Sequence, residues 1–438
     1  MKKRKRILVP DHHKFTSDFD SVIFIVLWNS LGFFFIEFIM TYYIFQVLVS
    51  PAYNVGIYFS AITIGGLISS IFIGYLTDRF SKKLLVMIGA FGRGFSYFGL
   101  YIAIIMESLI GMYISAFLLG LGAYIFWNPL DTIISEKSSK HHRSSAFGKR
   151  RFALGIGMAL GTVIGFLIFI ISTFLTPGNA FLIFGAIPIF GISNIIAGIR
   201  FSRNVDENKK FEYPQNDIEN EVNSELEMTD EYSKKSLNIV YYFSILILFT
   251  GFFLTAINFG LYRPYILTYV LTYISDKPVL VAFFYLPASL IGTLIAPKLG
   301  TIADRLNTYL TIAIASFLGG IVTWLIIYSR DLWIFAILLI IDNTIMLTVS
   351  FVFVNFLSRV SIKHRGKIFG IISLFENIGM IIGPVLGGIV WETISPQAPF
   401  IISIIVEWSL IPFFIIGMKL MSPNLSESIK DKKERNKN

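Results

Sequence analysis

The chain contains no cysteine, and only 15% of its residues are charged. Without cysteine, disulfide bonds and thiolate metal sites are excluded, and redox chemistry does not indicate a compartment. The sequence also lacks the Gly-x4-Gly-Lys-Ser/Thr pattern, so it carries no ATP-binding P-loop of its own. Its two pairs of adjacent histidines, at 12–13 and 141–142, have no further ligands beside them that would complete a metal shell. We therefore predict neither a metal nor a cofactor.

Apolar residues, in contrast, are abundant: they make up 55% of the 438 residues, and the mean hydropathy is +0.69. A soluble protein cannot bury so much apolar surface. A helix that crosses the lipid core needs about 20 apolar residues. Twelve such runs are present, at 22–48, 54–76, 83–105, 108–130, 147–172, 178–200, 238–270, 279–299, 308–328, 331–357, 367–391 and 398–420. The sequence thus predicts an all-α membrane protein with twelve transmembrane helices, which we number as spans 1 to 12.

Lysine and arginine fall almost entirely on one side of this layout. If the N-terminus is cytoplasmic, the inner segments hold 33 of the 37 Lys and Arg residues, and the outer loops hold only Lys277 and Arg330. This bias is the one that the positive-inside rule requires. The net charge of +9 is then explained by topology, so no nucleic-acid partner is needed. We predict a multi-pass protein of the cell membrane with both termini in the cytoplasm, its first span being retained rather than cleaved as a signal peptide.

A polar segment between spans 6 and 7 is rich in Glu, Asp, Asn and Lys, which is typical of a solvated linker. It divides the chain into two halves of six spans each. The predicted organisation is a cytoplasmic tail at 1–21, a six-helix bundle at 22–200, a cytoplasmic linker at 201–237, a second six-helix bundle at 238–420 and a cytoplasmic tail at 421–438.

Two patterns recur between the halves. The first pattern is Gly74, Asp78 and Arg79, which returns 226 residues later as Gly300, Asp304 and Arg305. The second joins RSSAFG at 143–148 to RGKIFG at 365–370, an offset of 222 that also relates Gly157, Gly161 and Gly165 to Gly379, Gly383 and Gly387. Because six is an even number, two homologous six-span units have the same orientation. The sequence therefore predicts two parallel repeats related by an axis along the membrane normal.

The segment GYLTDRFSKK, at 74–83, resembles the signature between the second and third helices of the major facilitator superfamily, and only Ser81 differs from it. The segment GMIIGPVLGG, at 379–388, resembles a signature that drug/proton antiporters of this family carry in their fifth helix. Here it lies in span 11, and span 5 has Thr162 in place of the proline. The arginine common in the family's fourth helix aligns with Ala116. The resemblance covers about residues 20–420 and implies a secondary transporter.

The resemblance implies a role for the charges at the ends of spans 2 and 8. In the family, this loop latches the two halves together when the carrier opens outward. Asp78 would face the positive N-terminal end of span 11, and Arg79 would pair with an acid such as Asp131. Gly74 would allow another backbone to approach closely. Gly300, Asp304 and Arg305 would be their counterparts in the second half.

Ionisable residues within the membrane are candidates for function, because each costs at least a few kcal/mol there. The fold that the resemblance implies ranks Glu37 and Asp342 first, Glu376 next, and Arg93 and Glu407 last. We predict a substrate- or proton-binding site at Glu37, Asp342, Glu376, Arg93 and Asn258. The alternative is an internal ion pair, for instance between Glu37 and Arg93.

Glycines at spacings of four form a stripe on one face of span 5 and of span 11. The stripe consists of Gly157, Gly161 and Gly165 in span 5 and of Gly379, Gly383 and Gly387 in span 11. In span 11, Pro384 and Gly388 complete the segment GMIIGPVLGG. Small residues allow helices in a membrane to pack closely, so we predict helix packing here. The alternative is a bendable helix that lines the transport path.

The predicted function is proton-coupled efflux of small amphipathic compounds by alternating access. The alternatives are proton- or sodium-coupled uptake of a nutrient such as a sugar or organic acid and, from another class, a non-transporting membrane sensor or a membrane-embedded enzyme. We expect a monomer that is not an enzyme, with a small-molecule substrate, a proton or sodium ion as the coupling ion, and membrane lipid as its partners.

Overall fold

A computed structural model describes residues 7–9, 14–139, 142–211, 239–285, 287–288, 291, 295, 308–360 and 365–421. The helices are α1 (Phe19–Asn29), α2 (Phe33–Tyr42), α3 (Tyr53–Arg79), α4 (Lys82–Ile105), α5 (Leu109–Glu136), α6 (Arg143–Leu175), α7 (Ala180–Ile183), α8 (Ala186–Asn204), α9 (Ile239–Tyr262), α10 (Tyr265–Tyr273), α11 (Thr308–Tyr328), α12 (Leu332–Val360), α13 (Arg365–Thr393) and α14 (Ala398–Met421). Two short strands, β1 (Ile7–Val9) and β2 (Lys209–Phe211), pair in parallel.

Ten helices among the described residues are long and apolar enough to cross a membrane. They correspond to spans 1–5, 7 and 9–12, so the predicted all-α membrane fold is confirmed. Span 6 corresponds to α7 and α8 and is not among the ten, because α7 has 4 residues and α8, with 19, has a lower mean hydropathy than its neighbours. Of span 8, residues 279–285 are helical, and most of the remainder lies outside the described residues.

The chain forms two compact units. The first consists of residues 1–50 and 57–214, and the second of residues 51–56 and 215–438. The core of the first unit contains apolar side chains of α1, α4, α5, α6 and α8, such as Val26 and Phe126. The core of the second unit contains side chains of α9, α11, α12, α13 and α14, such as Phe252 and Phe414.

Span 1 is interrupted near its middle. It ends as α1 at Asn29 and resumes as α2 at Phe33, with Gly32 between them at a φ of +90°. Glycine adopts this left-handed conformation without steric cost. A side chain at Gly32 would also be blocked, because a Cβ atom there would lie 2.7 Å from Cδ2 of Phe190.

Span 7, the counterpart of span 1 in the second half, is interrupted too. It ends as α9 at Tyr262 and resumes as α10 at Tyr265, with Arg263 and Pro264 between the two segments. Proline has no N–H to donate and disfavours a helical conformation in the residue before it. Spans 1 and 7, one in each unit, are therefore both discontinuous.

Candidate functional site

Arg93 on α4 is completely buried within the first unit. Its Nη2 atom donates a hydrogen bond of 2.8 Å to the carbonyl of Asn29, at the end of α1, where the helix leaves carbonyl groups without partners. Its Nε and Nη1 atoms have no hydrogen-bond partner among the described residues. The rings of Phe33 and Trp127 lie 4.7 and 5.8 Å from its Cζ atom, so they contribute cation–π attraction.

Glu37 and Arg93 line the same cavity, which has a volume of about 190 Å³. Glu37 is half-buried and lies one turn after the break between α1 and α2. Four aromatic rings also line the cavity, those of Phe33, Tyr58, Phe59 and Tyr97. Two of the predicted site residues thus come together in a chamber with apolar walls and one charge of each sign.

Asp342 on α12 is buried in the second unit, with 4% of its surface exposed. Its Oδ2 atom lies 3.4 Å from Nη1 of Arg263, at the break between α9 and α10. Nη2 of the same arginine donates to Oδ1 of Asn343 at 2.7 Å. A break in a helix therefore places a cation against a predicted carboxylate. Sequence reasoning did not include Arg263 or Asn343 in the site, although the position of Arg263 within a span was a usable signal.

Glu407, which was ranked last because it lies on span 12, is close enough to Asp342 for the two carboxylates to interact electrostatically. Its Oε1 atom lies 2.6 Å from the position of a Cβ atom on Gly319 of α11, so the missing side chain makes room for the acid. Asp342 and Glu407 thus form a neighbouring pair of acids in the second unit, and Arg263 lies beside Asp342.

Two other candidates lie apart from these contacts. Glu376 on α13 is exposed in this structure. Asn258 on α9 is buried, and its Oδ1 atom has no hydrogen-bond partner among the described residues. No group of three or more His, Asp or Glu residues that could hold a metal is found in the described part of the chain.

The predicted contacts of the span 2 loop differ in this structure. Asp131 pairs with Arg150 on α6, whose Nη2 atom donates to Oδ2 at 3.0 Å, because these two residues face each other across α5 and α6. Arg79 lies over the ring of Tyr75, one turn earlier on α3, at 4.2 Å. The pair predicted between Arg79 and Asp131 is therefore not formed. No described residue lies within 4 Å of a Cβ atom built on Gly74, so the close approach of another backbone stays a prediction.

The other residues of the two loop signatures cannot be compared in this way. The side chain of Asp78, and the whole of Gly300, Asp304 and Arg305, lie outside the described residues.

A charged cluster at one end of the first unit was not predicted. We call it the Lys137 cluster: Asp18, Lys137, Asp206 and Lys209. Nζ of Lys137, which is 1% exposed, donates to Oδ2 of Asp18 at 2.6 Å and to the carbonyls of Asp206 and Lys209 at 2.7 and 3.1 Å. Because Lys209 begins β2, which pairs with β1, the cluster attaches both the N-terminal segment and the start of the linker to the first unit.

Charge and burial compete within the Lys137 cluster. Burial alone would raise the pKa of Asp18, but hydrogen bonds from Lys137 and Thr16 and the positive charge of Lys137 outweigh burial and hold the pKa below its ordinary value. For Lys137 the balance is the opposite: burial lowers its pKa more than Asp18 raises it.

The glycines of span 5 lie against span 1. A Cβ atom on Gly157 would collide with the carbonyl of Leu27, and one on Gly161 would lie 2.7 Å from Cα of Leu31. On Gly165 it would collide with the ring of Phe35.

The glycines of span 11 lie against span 7 in the same way. Cβ atoms on Gly379 and Gly383 would lie 2.8 and 2.9 Å from Phe253 O and Gly260 Cα, and one on Gly387 would collide with the carbonyl of Leu261. Pro384 accepts a hydrogen bond from the hydroxyl of Tyr265, and Gly388 lies against the backbone of Tyr53, which belongs to the same unit.

Buried charges at interrupted helices, within an all-helical protein that has many membrane spans, are typical of secondary transporters. The sequence profile of the Major Facilitator Superfamily matches residues 22–362. The chain belongs to this family, and the resemblance predicted from GYLTDRFSKK is confirmed. It is a multi-pass membrane transporter.

Curated relatives match part of the chain. It is 31% identical over 166 residues to the class H tetracycline resistance protein of Pasteurella multocida. The aligned segment covers 37% of this chain and 41% of that protein. It is 26% identical over 166 residues to the class B tetracycline resistance protein of Escherichia coli. This alignment covers 37% of this chain and 40% of that protein. The chain therefore spans about two fifths of the length of the curated relatives it matches.

Solved structures resemble the fold over nearly the whole chain. A structure of a proton-dependent oligopeptide transporter superposes with a TM-score of 0.68 at 12% identity and covers 93% of this chain and 99% of that one. A nucleoside transporter superposes with a TM-score of 0.63 at 14% identity, and the superposition covers 92% of this chain and 98% of that one. At these identities the likeness establishes the fold alone.

Proposed function

We propose that this transporter exports amphipathic compounds across the cell membrane in exchange for protons. The observation that carries the proposal is the part-buried contact between Asp342 and Arg263 in the second unit. The similarity to tetracycline resistance proteins over 166 residues supports export as the direction.

The contact suits proton exchange because its geometry is loose. At 3.4 Å, the distance between Nη1 and Oδ2 is longer than that of a close charge-assisted hydrogen bond, about 2.7–2.9 Å. Arg263 also has a second partner in Asn343, which keeps one arm of the guanidinium satisfied when Asp342 is neutral. Protonation of Asp342 would therefore remove one charge from the apolar interior without leaving the arginine without acceptors.

The driving force is sufficient for export. A difference of one pH unit supplies about 1.4 kcal/mol per proton, and a membrane potential of 100 mV supplies about 2.3 kcal/mol per charge. Binding of a proton from the acidic side and its release on the other side would shift the balance between the two access states.

The test uses purified protein in liposomes, with tetracycline as the probe. We expect an imposed pH gradient to drive tetracycline towards the acidic compartment. Asp342→Asn should abolish this coupling, because the amide cannot release a proton. Glu107→Gln is the matched control: Glu107 is an exposed acid between α4 and α5, and its variant should transport normally.

Each alternative predicts a different result. Transport driven equally well by a sodium gradient, or coupling that survives in Asp342→Asn, would contradict proton exchange at this residue. Accumulation of tetracycline in the compartment that protons enter would indicate symport and hence uptake. If no solute moves under any gradient, the protein is not a working exporter.

A further inference from the structure

The cavity around Arg93 lies entirely within the first unit. Its walls come from α2, α3, α4 and α5, and its charged members are Glu37 and Arg93. Nothing proposed above for proton exchange uses this cavity, since Asp342 and Arg263 belong to the second unit.

Arg93 is a cation that lacks anionic hydrogen-bond partners. Its exposure is 0%, and its single hydrogen bond among the described residues goes to a neutral carbonyl, that of Asn29. The hydroxyl of Tyr97 faces the guanidinium but lacks the geometry of a hydrogen bond. A buried charge is costly unless it is paired and hydrogen-bonded. Two guanidinium nitrogens, Nε and Nη1, can therefore donate hydrogen bonds to an anionic oxygen.

The walls of the cavity fit a ring. Phe33, Phe59 and the two tyrosines, Tyr58 and Tyr97, supply aromatic surface, and the remaining lining is aliphatic. A cavity of about 150 Å³ is large enough for benzene, and this cavity has a volume of about 190 Å³. It is smaller than the 300–1,000 Å³, roughly, of a site that encloses a drug-sized molecule. It therefore suits one ring with a small substituent, as a part of a larger compound.

We propose that this cavity is a subsite for a ring that carries an anionic oxygen, such as a carboxylate or phenolate, with Arg93 as its partner. The inference rests on the proposed function, since the ring would belong to the exported compound, and it narrows the substrate class to amphipathic compounds with an acidic oxygen on a ring. A planar guanidinium binds such an oxygen with more geometric specificity than an ammonium does.

Glu37 sets the affinity of this subsite. It is the one carboxylate that lines the cavity, so its negative charge opposes an incoming anion and attracts the same guanidinium. Replacing it with glutamine keeps the size of the side chain and removes the charge. Glu37→Gln should therefore bind a ring anion more tightly than the unmodified protein, an outcome that a purely structural role for Glu37 does not produce.

The experiment measures binding to the full-length purified protein by isothermal titration calorimetry, with benzoate as the anionic probe and benzamide as its neutral match. We expect benzoate to bind at least about tenfold more tightly than benzamide, which corresponds to one hydrogen bond to a charged group. Arg93→Met should remove this preference, and Glu37→Gln should increase it. Equal binding of both probes, or an unchanged preference in a folded Arg93→Met variant, would overturn the proposal.

A second variant keeps the test decisive if Arg93→Met does not fold. Ala123→Leu fills part of the cavity from α5 and leaves both charges in place. It should weaken benzoate binding, and a benzoate preference that persists with this cavity filled would place the anion elsewhere. In the unmodified protein, tetracycline export without benzoate binding would refute the subsite alone, whereas benzoate binding without export would refute the proposed function alone.

Discussion

At the scale of single residues, Arg93 and Arg263 lie at the interruptions of spans 1 and 7. Arg93 donates to the carbonyl of Asn29 at the end of α1, and Arg263 forms the break between α9 and α10 together with Pro264. An unpaired backbone group within the membrane costs several kcal/mol, so an interruption requires a polar partner. The same requirement that stabilises a broken helix thus places a cation beside each of the two breaks.

Lys137→Met should loosen the segments that the Lys137 cluster holds. The variant removes the donor to Asp18 and to two backbone carbonyls, and breaking a buried pair by deleting one partner costs about 3 kcal/mol or more. We expect faster hydrogen exchange of the backbone amides at 206–211, measured by mass spectrometry. Lys14→Met is the control, because the side chain of Lys14 is exposed and its change should leave exchange unaltered.

The same cluster gives this prediction a pH dependence. Because the pKa of Asp18 is held below its ordinary value of 3.8, its pairing contributes fully to stability above that value and loses this contribution as the pH falls through the lowered pKa. Exchange at 206–211 should therefore rise on acidification below 3.8, beyond the intrinsic pH dependence, and this rise should be absent in Asp18→Asn. An identical acid response in Asp18→Asn would show that another group is responsible.

At the scale of helices, the two halves use glycine in the same way. Gly161 on α6 lies against the break in span 1, and Gly383 on α13 lies against span 7 near its own break. Small residues let the two backbones approach each other closely. This close packing stabilises the contact between the helices in lipid, where the hydrophobic effect does not drive their association. The close contact supports each interrupted helix on one side.

Gly161→Ala should therefore lower the melting temperature of the purified protein. Its Cβ atom would lie 2.5 Å from the backbone nitrogen of Gly32, and backbone atoms cannot move aside as a side-chain end does. Overpacking of this kind costs about 1–3 kcal/mol.

Gly155→Ala, on the same helix, is the matched control for this prediction. No atom of the described residues lies within 4 Å of its Cβ position, so the change should be neutral or stabilising by about 0.5–1 kcal/mol. Equal melting temperatures for Gly161→Ala and Gly155→Ala would contradict this account of packing.

At the scale of the whole molecule, the charge bias predicts which loops face the cytoplasm. The absence of cysteine makes this prediction easy to test, because a single introduced thiol is the only one present. Lys277 and Ser145 are both exposed, at opposite ends of the predicted layout. In intact cells, a membrane-impermeant maleimide should label Lys277→Cys, whereas Ser145→Cys should react only after permeabilisation. Labelling of both variants from outside would contradict the odd number of spans, three, that the layout places between Ser145 and Lys277.

Much of the fold was predictable because the lipid environment restricts it strongly. Runs of about 20 apolar residues must become helices, since every backbone group needs an internal partner in lipid. The glycine stripes at 157–165 and 379–387 were also visible in the sequence, as were the carboxylates Glu37 and Asp342. These features depend on composition and spacing along one helix, which a sequence contains directly.

The partners of the charged residues were decided by the tertiary structure. The sequence offered Arg79 for Asp131, but α6 places Arg150 beside it, and the sequence did not show that Arg263 reaches Asp342. It ranked Arg93 and Glu407 low because of the spans that carry them, yet Arg93 enters a cavity beside Glu37 and Glu407 lies near Asp342. The sequence by itself determined which segments lie in the membrane, because burial in lipid depends on local hydropathy. Only the tertiary structure decided which charges meet, because that depends on helix rotation and on the two breaks.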